Sequence, residues 1–228
     1  MQNRATNLLL TSGLLVGLAA TTMGCTETNS TIFIRQVQVP DPDDQCIVRA
    51  DPAALFTGHG FLDTALGDGA YQATVLVGNQ MIRRGDEDTL RTETARVQLY
   101  EAEIEVFDYA GGLLNEYTMP VSGFADPATG TEPGWGLVGA TLVDAGSASA
   151  AAGGSGQTVV TRVKLYGVSL GGEEVETAPW DFPVFVCSNC LACVEPDTCE
   201  DDRLEVCNLG QDASPDCRVV DPDHPCNP

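Results

Sequence analysis

The chain is poor in the residues from which most active sites are built. It has two histidines, His59 and His224, and a single lysine, Lys164. No HExxH zinc motif, Gly-x-Ser-x-Gly elbow, phosphate loop or dinucleotide fingerprint occurs. A Ser–His–Asp triad would have to use His59, because His224 stands in a Pro-rich terminus. Basic residues are also scarce, 11 against 33 acids, for a net charge of −22. Such a surface repels polyanions, which excludes nucleic acid as a partner and disfavours adsorption on anionic headgroups. Its simplest use is colloidal repulsion and solubility. Helical periodicity is nearly absent after residue 25, and no second long apolar run follows the first, so no spanning helix is expected.

The one apolar run opens the chain, in MQNRATNLLLTSGLLVGLAATTMGC. Arg4 precedes a hydrophobic stretch from Leu8 to Ala20, and small residues then lead to Cys25. That is the layout of a secretory signal, too short for a bilayer core that needs roughly 20 residues. Ending at Gly24-Cys25, it resembles the signal peptide of bacterial lipoproteins, whose cysteine becomes the acylated first residue of the mature chain. Thr22 and Met23 depart from the usual pattern, and ordinary cleavage near Ala19 or Ala20, leaving Cys25 as a thiol, is the alternative. Cysteine parity favours acylation. Nine cysteines are present, and lipidating Cys25 leaves an even eight able to pair in an oxidising compartment. The resemblance, with Thr26 rather than aspartate after the cysteine, implies sorting to the outer membrane. TETNST then reads as a short tether, with the membrane contacted through the lipid alone.

Beyond the tether the chain reads as all-β. Short runs rich in Val, Ile, Thr and aromatics, bounded by Gly, Pro, Asp and Asn, predict strands at 32–39, 71–78, 95–108, 113–121, 136–143, 158–170 and 181–187. In 95–108, Val97 and Leu99 alternate on one parity and Ile104 and Val106 on the other, which predicts a bulge near Tyr100–Glu101. Gly111-Gly112 and Gly171-Gly172 read as hairpin turns. Gly58–Gly69 reads as a loop. Ala145–Gln157 (AGSASAAAGGSGQ) reads as a low-complexity loop with no face to bury and only weak support for a short helix. The expected fold is an antiparallel β-sandwich, broadly immunoglobulin-like, with Trp135 and Trp180 as core plugs. The expected organisation is a signal over 1–24, an acylated cysteine and tether over 25–31, a sandwich over 32–186, and a small irregular tail over 187–228.

The tail is acidic and holds Cys187, Cys190, Cys193, Cys199, Cys207, Cys217 and Cys226 with few large hydrophobes. Four uses compete for them. An iron–sulfur cluster fits poorly, because five residues, not three, separate Cys193 from Cys199 and Glu200 follows Cys199. A reactive C-x-x-C needs a helix N-terminus or positive charge, and here acids crowd the segment. Structural zinc competes with oxidation in the expected compartment. Disulfide staples fit a small exported segment that cannot build a core alone, and they are the preferred reading. Seven is odd, so one tail cysteine must bond Cys46; Cys187, Cys190 and Cys193, nearest the last strand, are the expected partners. The other bridges cannot be assigned from sequence.

No metal site or cofactor is expected. Acid clusters at Asp41–Asp44, Asp86–Asp88, Glu200–Asp202 and Asp221–Asp223 lack EF-hand spacing, and weak calcium binding is an alternative to solvated loops. Arg84-Gly85-Asp86 reads as a chance tripeptide, and Glu103 and Glu105 as the wet face of a strand. FPVFVCSNCLAC, CNLGQDASPDC and GFLD…YQATVLVGNQ together resemble cysteine-rich lipoproteins of Gram-negative bacteria. That resemblance implies anchoring and cross-linking and carries no catalytic activity. The expected role is therefore a lipid-anchored binding or structural module with an envelope protein as its possible partner. An envelope hydrolase using clustered carboxylates is the alternative, as is a calcium-binding surface protein.

Overall fold

The computed structural model of the chain describes residues 31–86, 91–153, 156–200 and 206–227. The apolar N-terminal run expected to be a signal, and Cys25, lie outside the described residues. Ten strands run in chain order: β1 Ile32–Gln38, β2 Phe56–Thr57, β3 Gly60–Asp63, β4 Tyr71–Asn79, β5 Val97–Phe107, β6 Leu113–Ala125, β7 Gly134–Val143, β8 Gln157–Ser169, β9 Glu174–Glu176 and β10 Trp180–Cys187. Among the described residues the α-helices are two short ones, α1 (Ala145–Ala151) and α2 (Cys217–Val220). The strands form two sheets packed face to face. Sheet I has the order β2-β1-β4-β7, and sheet II the order β3-β10-β8-β5-β6 with β9 also paired to β8.

Alternation builds the core. Along β8, Val159, Val163 and Leu165 are fully buried while Val160, Arg162 and Lys164 face outward. In β5 the register shifts between Leu99 and Glu101 against both neighbours, at the place where the hydrophobic parity changes. This bulge keeps Val97 and Leu99 inside together with Ala102, Ile104 and Val106. Gly111 (φ 85°) and Gly172 (φ 87°) sit in the β5–β6 and β8–β9 turns, where the left-handed backbone suits glycine. Phe182 joins Tyr71 in the core, and Trp180 stacks on Phe182 at 5.5 Å from a half-buried position. Trp135 is also only half-buried, meeting Phe33 edge-on at 5.8 Å.

Three expectations are corrected. First, Gly58–Gly69, expected to be a loop, contains β3, which pairs parallel to β10 from Gly60↔Val184 to Asp63↔Cys187, so the sandwich is not wholly antiparallel. Second, Ala145–Gln157 does bury a face. Asp144 caps α1 by accepting the Gly146 and Ser147 N–H groups, and Ala148 and Ala151 enter the core at 0% and 1% exposure. Small side chains let the helix lie flush on the sandwich, which a reading based on large hydrophobes overlooks. Third, Cys46 bonds Cys207 and none of the three cysteines nearest β10.

One side of the sandwich is nearly closed. β6, the edge strand of sheet II, packs closely on β7 of sheet I, where Tyr117 donates its hydroxyl to Thr141 O at 2.8 Å. Two glycines permit this contact: a Cβ on Gly136 would lie 2.0 Å from Phe124 O, and one on Gly123 would lie 2.3 Å from Leu137 O.

Candidate functional site

Disulfides bind the tail to the sandwich and to itself. Cys46–Cys207 spans 161 residues, Cys187–Cys190 closes a tight turn after β10, and Cys193–Cys217 and Cys199–Cys226 knit the last segment. All eight cysteines expected to pair do so with one another. The Cys46–Cys207 bridge holds the 208–213 segment against the free edge of β3. There Asp63 N donates to Gly210 O at 2.8 Å, Asp212 N to Phe61 O at 3.0 Å, and Phe61 N to the Asp212 carboxylate at 2.7 Å. A strand edge that would otherwise be left open is covered by the chain's own C-terminal segment.

Asp63 is the node of this arrangement. It ends β3 at 0% exposure. Its Oδ1 accepts the N–H of Ala65 (3.0 Å) and of Asn189 (2.8 Å), and its Oδ2 accepts those of Cys190 (2.7 Å) and Leu191 (2.8 Å). Burial pushes the carboxyl pKa up, but four main-chain donors outweigh it and hold the group below the usual carboxylate range. Asp212 is the opposite case. Burial dominates there, so its pKa lies above the ordinary value despite hydrogen bonds from Phe61 N–H and from the Tyr71 hydroxyl at 2.8 Å. Sequence reading singled out neither acid. The available signal was an aspartate ending an apolar run, GFLD.

Farther along, Val194 N donates to Pro215 O at 2.8 Å and Cys217 N to Val194 O at 3.0 Å, which pins the two arms of the Cys193–Cys217 bridge. Arg218 and Asp216 form a buried ion pair beside them. His224 Nε2 lies 3.0 Å from Glu195 Oε2, while its Nδ1 accepts the Cys226 N–H at 3.2 Å. His59 is exposed in the β2–β3 turn.

The other acid-rich stretches are local turn devices. Asp41 caps a 3-10 turn at Pro42–Asp44, and Asp221 accepts the Asp223 N–H. Arg84 and Gly85 give their N–H groups to Glu93, so the Arg-Gly-Asp tripeptide belongs to a loop held by that carboxylate. Glu87, Asp88, Asp201 and Asp202 lie outside the described residues. Glu103 accepts the Tyr166 hydroxyl at 2.5 Å on the outer face of sheet II.

Shallow clefts of about 340, 310 and 440 Å³ are lined by described residues. The first is lined in part by Asp41 and Asp51, the second by Asp108, and the third by Glu93 and Asp126. Each of these carboxylates is engaged: four of them accept main-chain N–H groups, and Asp126 pairs with Arg96 at 2.9 Å.

The outer face of sheet II is divided in two. One part is an ionic lattice, with Arg162 on Asp181 at 2.8 Å and Lys164 on Glu176 at 2.9 Å. Beside it runs an apolar band across four strands: Phe61 on β3, Phe185 and Pro183 on β10, Val160 on β8, and Phe107 on β5. Register places Phe61 opposite Phe185, Pro183 opposite Val160 and Val160 opposite Phe107. All five are half-exposed, the Phe61 and Phe185 rings lie 5.3 Å apart, and Tyr109, 83% exposed, extends the band at the β5–β6 turn.

The fold and site thus define a β-sandwich with a disulfide-bonded acidic tail. No family model and no curated protein matches the chain. Among solved structures it is similar to the solution structure of a protein provisionally assigned as late embryogenesis abundant (LEA). The TM-score is 0.34 and the identity 7%, over 69% of this chain and 71% of that one, a likeness too slight to carry an argument.

Proposed function

We propose that this chain is a lipid-anchored protein of the Gram-negative cell envelope, held on the outer membrane through acyl groups on Cys25, and that it is a binding module. The carrying observation is the cysteine partition. Eight of nine cysteines pair among themselves, and the ninth is the one that ends the signal-like apolar run. The disulfide set suits an oxidising compartment, and acylation gives Cys25 a use that leaves no stray thiol.

The binding surface is the apolar band of sheet II. Half-exposed aromatics on an otherwise charged face match the composition of interface cores, and the chain's negative charge selects a partner with basic residues around an apolar centre. The partner class is an envelope protein; the repulsion of polyanions by this surface argues against nucleic acid. No catalytic role is assigned, since the carboxylates lining the clefts are committed to main-chain donors or to arginine.

Intact-mass analysis of protein purified from the envelope tests the anchor. The expected mass is that of a chain beginning at Cys25 with acyl groups attached, and an unacylated Cys25 would refute it. A photocrosslinking residue at Phe185 or Val160 is expected to capture a partner that the same probe at Gln98, elsewhere on that face, does not.

A further inference from the structure

Two groups of side chains bring three metal-ligating atoms within 4.8 Å of one another: Asp63 with Cys187 and Cys190, and Glu195 with Cys193 and Cys217. They differ in what their carboxylates are free to do. Both oxygens of Asp63 are saturated by four main-chain N–H groups in a fully buried position, so binding a cation there would strip bonds that hold the tail to β3. Glu195 is 72% exposed, and its bond to His224 through Oε2 leaves acceptor capacity on a carboxylate that comes within 4.8 Å of both sulfurs.

We propose that Cys193, Cys217 and Glu195 form a zinc site that the disulfide closes and reduction opens. A dithiol reductant delivers two electrons and two protons to the Cys193–Cys217 bond, breaking it to two thiols as the reductant becomes a disulfide. Zinc then displaces both thiol protons to solvent and binds two thiolates and the Glu195 carboxylate, with water in the fourth position. Two main-chain hydrogen bonds, Val194 N–H to Pro215 O and Cys217 N–H to Val194 O, join the same two arms that the disulfide joins and favour keeping the two thiols near each other once it opens.

His224 is a positioning residue and not a ligand. The Cys226 N–H directed at Nδ1 places the ring proton on Nε2, which donates to Glu195 and orients the carboxylate. The oxidised protein offers no thiolate and is expected to bind zinc weakly or not at all at this place.

The test uses the full chain carrying Cys187→Ser, Cys190→Ser, Cys199→Ser and Cys226→Ser, reduced with a phosphine and titrated with Co²⁺ and then Zn²⁺. One equivalent of Co²⁺ is expected to give thiolate-to-cobalt charge-transfer and tetrahedral d–d bands that Zn²⁺ abolishes and that are absent before reduction. Adding Cys193→Ser and Cys217→Ser should remove the bands, and Glu195→Ala should weaken binding and shift the d–d envelope. His224→Gln should lower affinity about tenfold to a hundredfold while the bands remain. Circular dichroism confirms that the sandwich persists in each variant. If the tail fails to fold once four cysteines are replaced, the same titration on the reduced natural chain, with and without Cys193→Ser, decides. Bands that survive loss of Cys193 and Cys217, bands indifferent to Glu195→Ala, or no cobalt binding after reduction would each overturn the proposal.

Discussion

Replacing Asp63 by asparagine removes one acceptor oxygen and sets an NH₂ group where two main-chain donors converge. The natural carboxylate takes four N–H groups, two on each oxygen, and the amide can keep only two. Each donor left without an acceptor costs about 1–3 kcal/mol, so with two orphaned the variant should lose roughly 2–6 kcal/mol. Urea unfolding of the oxidised protein reads this directly, and with a slope of about 2 kcal/mol per molar the midpoint should fall by roughly 1–3 M. The effect also has a pH signature. The folded pKa of Asp63 is depressed, so its contribution is complete above the unfolded value of about 4 and is lost as pH falls through the lower folded value. The gap between natural and variant proteins should therefore be constant near neutrality and narrow below about pH 4. A variant within about 0.5 kcal/mol of the natural protein at pH 7, or a gap that does not change on acidification, would refute the assignment of Asp63 as the anchor of the tail.

Asp212→Asn should behave in the opposite way. The raised pKa of Asp212 gives a stability term that is largest below about pH 4 and lost as pH rises through the folded value, so neutralising it should leave stability at pH 7 unchanged or slightly raised. Asparagine also tolerates the left-handed backbone there, φ 56°. Breaking the Cys46–Cys207 bridge with paired serines opens a 161-residue loop and should cost about 5 kcal/mol in the chain-entropy model, read from the denaturation midpoint. Gly136→Ala should separate β6 from β7 and cost about 1–3 kcal/mol by the same measurement, because its Cβ would meet the Phe124 carbonyl. Reduction should raise the intact mass by about 8 Da, two hydrogens for each of four bridges.

How much of this is legible in sequence depends on whether an element announces itself locally. The long strands do, because alternation over many residues overdetermines them, and the parity change in ARVQLYEAEIEVFD located the β5 bulge to the residue. β3 does not, because Gly60–Asp63 is too short to show a period and is a strand only through pairing with β10 on one side and the 208–213 segment on the other. α1 is silent for a different reason: its buried positions are alanines, which fill a shallow gap without leaving a hydrophobic pattern. Arithmetic on the cysteines required Cys46 to reach the tail. Which tail cysteine it meets depends on where the 208–213 segment docks, a fact of tertiary structure that spacing does not encode. The apolar band on sheet II was hidden in the same way, since Phe61, Val160, Phe185 and Phe107 come from four separate strands and converge only in register.

The tail links oxidation to the integrity of the sandwich. β3 is held by β10 on one edge, and on the other by Gly210 and Asp212, which reach it from a segment with few large hydrophobes of its own. Without the Cys46–Cys207 bridge, docking that segment incurs the full entropy of ordering it, while the return is a few hydrogen bonds and the Asp212–Tyr71 contact at 2.8 Å. In a reducing medium the balance tips toward release, and release uncovers both the β3 edge and the Tyr71 hydroxyl beneath it. On this balance the outer edge of β3 is stably covered only once the Cys46–Cys207 bridge has formed. Exposure of the β3 edge is thereby limited to the interval before the bridges form, the state in which unpaired strand edges invite aggregation.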